Sequence, residues 1–242
     1  MGQSIKDIWP DGGSPISLTT TPSYLWRDSD AQEVEFFCDA DFRINIAPRI
    51  KQLLFYDDTD ESYTDYSSEA QDGDADVAIV LSSMQTADRI YVRTEEPILG
   101  IYFDILATND AVSVMTINYW KDATPDAWAD TGNTDGTDVG GDTLKQDGLN
   151  YWTAPSDEII HPAFGGQPKG YWYQITISGA LDSAVELVQA MALSKRSSSQ
   201  APTVVLKAST YHSFKMDTEN TGGFQIDVSV GTAELQVIWT KH

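Results

Sequence analysis

Apolar residues along this chain recur at every second position far more often than at helical spacing, and that alternation confines the chain to β-sheet architectures. Strand-like runs fall at residues 34–37, 42–46, 51–56, 77–81, 89–93, 98–106, 112–119, 171–178, 184–193, 203–208, 223–230 and 233–240. They are rich in β-branched and aromatic side chains, which suit a pleated surface, and Gly, Pro, Asn and Asp punctuate the gaps between them. The best helical rival is 182–193, where Val185, Val188, Met191 and Ala192 mark out one helix face. The alternation Val185, Leu187, Gln189, Met191, Leu193 fits a strand as well, and the strand–turn pattern before it favours the strand.

Many short strands with turn-rich spacers predict an all-β chain built as an antiparallel, jelly-roll-like β-sandwich rather than a βαβ fold. Residues 1–30 carry Pro10, Pro15 and Pro22 with little periodicity, and they read as an extended N-terminal arm. Trp9, Tyr24 and Trp26 make that arm too apolar for a free tail, so it is expected to dock on its own domain or on a neighbouring chain. Residues 31–193 read as the β-sandwich, 194–200 as a polar linker, and 201–242 as a C-terminal β extension too small to stand alone. Two acid-rich stretches, 57–76 and 122–147, read as loops.

Charge limits the partners. Asp and Glu number 37 against 15 Lys and Arg, a formal net charge of −22. Such a field repels phosphate backbones and anionic bilayers, so neither nucleic acid nor a membrane surface is an expected partner. No apolar run approaches the ~18 residues of a membrane-spanning helix, and the opening MGQSIKDIWPDGGSP lacks the pattern of a secretory leader. The single cysteine, Cys38, cannot close an internal disulfide and, beside Phe36 and Phe37, reads as a small core residue.

The usual catalytic arrangements are missing from the sequence. His161, His212 and His242 share no metal-ligand spacing, no Gly-x-Ser-x-Gly elbow occurs, and no glycine-rich loop precedes a helix. Carboxylates abound, but none is set apart as an acid–base pair in an apolar setting. The expectation is a protein that is not an enzyme, with no catalytic and no cofactor-binding residues. One loop invites a cation: Asn133, Asp135, Asp138 and Asp142 offer the oxygens that Ca2+ prefers. The same residue types also make ordinary turns, and both readings stand at this level.

Tryptophan is concentrated in the middle of the chain, at Trp120, Trp128, Trp152 and Trp172, with Tyr119, Tyr151, Tyr171 and Tyr173 alongside. Trp120 and Trp172 lie on strong strands and are expected to be core. Trp128 and Trp152 lie in or near turns and are expected to be partly exposed. With Trp9, Tyr24 and Trp26 they are the candidate interaction residues, and exposed rings beside acids and amides also suit stacking on sugars.

Between residues 56 and 193 the features come in a distinctive order. Tyr63-Thr-Asp65 and Asp72-Gly73 precede Ala87-Asp-Arg-Ile-Tyr-Val92 and Pro97-Ile-Leu-Gly-Ile-Tyr-Phe-Asp104. Asn118-Tyr-Trp120, Trp128, Asp135-Gly-Thr137, Gln146-Asp-Gly148, Tyr151-Trp-Thr-Ala-Pro-Ser-Asp157 and Gly170-Tyr-Trp-Tyr-Gln-Ile-Thr-Ile177 follow. This progression resembles a β-sandwich module that recurs in tailed-phage tail, baseplate and other virion structural proteins. Two departures stand out: Asp157-Glu-Ile-Ile replaces a second tryptophan after Pro155, and Tyr173-Gln174 replaces an Ile-Arg pair. The resemblance implies a virion component, made in the host cytoplasm and assembled with other virion proteins. In that setting a homo-oligomer is expected, a trimer above others. It carries over no catalytic residue. A carbohydrate-binding module contacting host surface glycans is the alternative, and a hydrolase has the least support.

Overall fold

The computed structural model describes residues 5–9, 15–26, 31–72, 76–121, 127–161, 166–194, 204–217 and 219–241. The chain is an all-β protein of antiparallel sheets, and it divides into two compact units. One unit joins the two chain ends, Met1–Ala47 with Arg196–His242, and the other is the continuous middle, Pro48–Lys195.

The first unit is a sandwich of two sheets. One sheet has the order β1 (Ile5–Trp9), β19 (Ala233–Lys241), β4 (Glu33–Cys38), β17 (His212–Lys215), with β2 (Ile16–Leu18) also paired to β19. The other runs β16 (Val204–Leu206), β5 (Phe42–Pro48), β18 (Thr221–Val228), β3 (Ser23–Trp26). Alternate residues Val34, Phe36 and Cys38 of β4 point into one core with Leu235, Val237 and Trp239 of β19 and Phe224, Ile226 and Val228 of β18. Phe36 meets Phe224 edge-on with ring centroids 5.1 Å apart, the arrangement that aromatic quadrupoles favour.

The second unit pairs a six-stranded with a four-stranded sheet. The larger has the order β12 (Trp128–Asp130), β11 (Met115–Trp120), β14 (Tyr171–Ile177), β9 (Arg89–Thr94), β6 (Gln52–Asp57), β7 (Ser62–Asp65). The smaller runs β13 (Gly148–Tyr151), β10 (Ile98–Ala107), β15 (Glu186–Ser194), β8 (Ile79–Val80). Between the sheets lie Leu53, Ile90, Val92, Ile117, Tyr173 and Ile175 from the larger and Ile101, Phe103, Leu187 and Ala190 from the smaller. Among the described residues a single short helix, α1 (Glu69–Asp72), sits within the stretch read as an acidic loop.

The strands expected from alternation are present, with small shifts of their ends. The contested 182–193 segment is a strand, but its alternation does not run unbroken. Opposite β10 the register passes from Asp104↔Gln189 to Ile105↔Leu187, so Val188 is an extra residue, a β-bulge. The bulge flips the phase: Leu187 faces the core before it, Ala190 and Ala192 after it.

The grouping of strands differs from the one expected. The described residues among 1–30 do not run as an arm. β1 pairs with β19 in the register Ile5↔Lys241 to Trp9↔Val237, β2 pairs with the start of β19, and β3 pairs with β18. Likewise the strands after residue 201 are no appendage, and β4 and β5 pair with them rather than with the residues that follow. Alternation reveals that a segment is a strand and says nothing about its partner, which here lies at the opposite end of the chain. Of the expected linker, Ser194 closes β15 and residues 195–200 lie outside the described set.

Candidate functional site

A strand that buries one face of its side chains must present the other, and on the six-stranded sheet that outer face is unusually aromatic. Inward-facing Ile90 and Val92 leave Arg89 and Tyr91 of β9 outside, and inward Tyr173 and Ile175 leave Trp172 and Gln174 of β14 outside. β11 and β12 add Asn118, Trp120, Trp128 and Asp130, while β6 and β7 add Leu54, Tyr56 and Tyr63. The register sets Tyr91 opposite Gln174, Gln174 opposite Asn118, and Asn118 opposite Asp130. It also sets Tyr56 opposite Tyr63 and Trp120 opposite Trp128.

The rings touch in sequence across the sheet. Centroids lie 4.9 Å apart for Tyr56 and Tyr63, 6.3 Å for Tyr63 and Tyr91, and 5.9 Å for Tyr91 and Trp128. Trp128 then meets Trp120 edge-on at 5.2 Å and His161 at 5.6 Å, and His161 packs on Trp120 at 3.8 Å. His161 is fixed there by backbone bonding with Gly170, just before β14. Leu54, Trp120, Trp172 and His161 are buried, the Trp172 indole N–H donating to the Pro168 carbonyl at 3.0 Å, whereas Tyr63 is 41% exposed and Tyr56, Tyr91 and Trp128 are half-buried. Gln174 donates to the Tyr91 phenol oxygen at 3.3 Å, and Asn118 donates to the Gln174 side chain at 3.5 Å.

The candidate rings separate into different fates. Trp128 lies in this face. Trp152 was expected to be partly exposed but is 5% exposed, packed at a tilt against Tyr173 with ring centroids 5.4 Å apart in the core. It follows β13 directly, and its backbone N–H donates to the Leu99 carbonyl, which holds it under the sheet. Tyr24 lies on β3, where Gln225 donates to its hydroxyl at 3.4 Å and burial pushes its pKa up to about 12. Trp9 and Trp26 fall on β1 and β3, and their side chains lie outside the described set.

The two acids that replace the expected tryptophan have a structural use. Tyr119 donates to Asp157 at 2.7 Å and Tyr173 donates to Glu158, while Ile98 N–H donates to the Tyr173 oxygen at 2.9 Å. The bond to Asp157, together with burial, pushes Tyr119 up to about 12, and burial beside Glu158 raises Tyr173 well above its ordinary value. The loop read as a calcium ligand set is likewise bonded within itself. Asp135 Oδ1 accepts from the Thr137 N–H at 2.8 Å and hydroxyl at 2.6 Å, and Oδ2 accepts from the Thr143 hydroxyl at 2.5 Å. Asn133 Oδ1 accepts from Ile117 N–H at 3.0 Å and Asp138 Oδ1 from Gly141 N–H at 3.4 Å. Asp142 sits at backbone bridges to Ser113 and Val139. Among the described residues no group of three or more His, Cys, Asp or Glu side chains is placed to hold a metal ion.

Cys38 is fully buried, and that burial pushes its thiol up, away from thiolate chemistry. His212 packs edge-on against Phe42, and His242 lies outside the described set. Burial raises two carboxylates, Asp104 and Asp227; at Asp104, Asp147 adds to the effect and Gln189 donates to it at 3.2 Å. Of the rings on the aromatic face only Trp128 stands out in the sequence as an interaction residue; Tyr56, Tyr63, Tyr91 and His161 do not. Their role depends on strand register, and the one legible trace was Tyr91 alternating with Ile90 and Val92. No protein-family model matches the chain, and no curated protein matches it.

Proposed function

We propose that the chain is a non-enzymatic structural component of a tailed-phage particle, in the capsid decoration, neck, tail or baseplate, and that it works by protein–protein assembly as a homo-oligomer. The observation that carries this reading is an apolar sheet edge. β16 is the outermost strand of its sheet, and its Val204 and Val205 are 52% and 56% exposed, one toward each face. Edge strands of soluble proteins are ordinarily guarded by charge, because unpaired N–H and C=O groups recruit further strands. Nearby in sequence, Tyr211 is 60% exposed and leans on Phe37 at 4.9 Å.

The resemblance of residues 56–193 to a virion β-sandwich module gives the assembly its setting. What supports the resemblance is that its aromatic and turn residues serve one packed unit: Tyr119, Trp152 and Tyr173 fill the core, and Asp135 and Thr137 tie its long loop. The test is light scattering on the purified chain at micromolar concentration. A trimer or larger ring is expected, and Val204→Lys with Val205→Lys should dissociate it. A monomer at every concentration would count against assembly.

A further inference from the structure

We propose that the outer face of the six-stranded sheet binds an uncharged oligosaccharide, with Tyr63, Tyr91 and Trp128 as the stacking rings and Asn118 and Gln174 as the hydroxyl-reading amides. The inference stands on the face itself and does not depend on the chain belonging to a particle.

The chemistry of the face selects its occupant. Successive rings from Tyr56 to Trp128 are tilted by 44°, 47° and 50°, so no two of them lie flat on each other, and Tyr63 is exposed. Buried Trp120 and His161 pack against Trp128 and fix its ring in advance, which lowers the ordering cost of binding. Six strands at ~4.8 Å spacing make a face roughly 24 Å across, long enough for a short chain of sugars.

Beside the rings runs a row of polar groups, Gln174, Asn118 and Asp130, in register across three strands. The amide contacts are long: 3.3 Å from Gln174 to Tyr91 and 3.5 Å from Asn118 to Gln174, near the weak limit of a hydrogen bond. Such contacts exchange readily for better ones with a ligand. A pyranose ring has just this duality, with apolar C–H faces for stacking and a rim of hydroxyls that both donate and accept. A purely apolar protein surface would bury the two amides with only these weak bonds, at a cost in free energy. A polyanionic glycan would meet the field of a chain whose net charge is −22. The uncharged sugar is what remains.

The test is affinity electrophoresis and tryptophan fluorescence of the full chain with dextran, mixed-linkage β-glucan, mannan and galactan, with heparin as the anionic probe. Saturable binding to at least one neutral polymer is expected, and none to heparin. Tyr63→Ala and Trp128→Ala should each weaken it at least tenfold, while Tyr211→Ala, an exposed ring of the other unit, leaves it unchanged. If Trp128→Ala unfolds the chain, Tyr63→Ala carries the comparison alone, because Tyr63 lies on an edge strand and is already exposed. Binding to none of the four neutral polymers, or binding indifferent to Tyr63→Ala, would overturn the proposal. So would capture of another protein by this face with no sugar bound. Any of these would leave the assembly proposal untouched, since light scattering reads a different property.

Discussion

Gly136 and Gly148 pack backbone to backbone, and the carbonyl of Gly136 occupies the space where a Cβ at Gly148 would stand. A Cβ at Gly148 would also come 2.8 Å from Thr137 N, and one at Gly136 would run into the Leu149 carbonyl. These are the glycines of Asp135-Gly-Thr137 and Gln146-Asp-Gly148, so a glycine at each of these positions has a steric cause. The long loop returns beside β13, where Gly136 N–H donates to Leu149 O at 3.2 Å and Gln146 donates to Gly136 O at 3.0 Å.

Gly148→Ala is therefore expected to cost about 3 kcal/mol or more, because rigid backbone rather than a pliant side chain blocks the new methyl. Urea unfolding of the full chain measures it. A midpoint within error of the unsubstituted chain would show that the loop can move aside.

The division into units predicts which truncations fold. Residues 48–195 expressed alone should unfold cooperatively, since their core is complete. Removing residues 1–30 takes away β1, β2 and β3 together with buried Leu18 and Leu25, and should unfold the unit made from the chain ends. Limited proteolysis distinguishes the outcomes: cleavage should spread through 31–47 and 201–242 while 48–195 survives.

Arg43 grips Asp227 with two bonds of 2.6 and 2.7 Å, and the Asp227 side chain is fully buried. Burial raises the Asp227 carboxyl above the usual range, with Arg43 opposing. A folded-state pKa above the unfolded value means that the folded chain holds the proton more tightly, so this group favours folding as pH falls. Arg43→Met strands the carboxylate and should cost about 3–5 kcal/mol at neutral pH. Part of that loss should return on acidification to pH 5, and Asp227→Leu in the same chain should restore most of it. Urea midpoints at the two pH values are the measurement.

Tyr119 follows the same linkage, with the same sign, at the alkaline end of the scale. Its folded pKa is pushed up to about 12 from 10.0, so its contribution is complete below pH 10 and is lost as pH rises through 12. In the 48–195 fragment, Tyr119→Phe should flatten the fall in stability across that window, with Tyr173 retaining part of the slope. An unaltered slope would mean that Asp157 does not hold this phenol in solution.

Much of this was legible in the sequence where the pattern is local. Residues 89–93 alternate cleanly because Ile90 and Val92 face a core on one side only, and Arg89–Thr94 is the strand observed. β7 and β12 were hidden inside acid-rich stretches, since sheet edges tolerate Asp and Ser where an interior strand would not. β1 to β3 were hidden by prolines and by partners some two hundred positions away. Trp152 misled because a turn-like neighbourhood in sequence gave no hint of Tyr173 lying against it. The aromatic face needed register above all, for Tyr63, Tyr91 and Trp128 come from three separate strands.

The most direct measurement of the central claim is immunogold electron microscopy with antibodies against the purified chain. The specimen is whatever phage particles can be recovered from cultures that express the chain. Gold clustered at one fixed position on intact particles, in multiples consistent with a symmetric ring, is the predicted result. Particles that assemble fully and carry no label, with the chain recovered only from the soluble fraction, would contradict it.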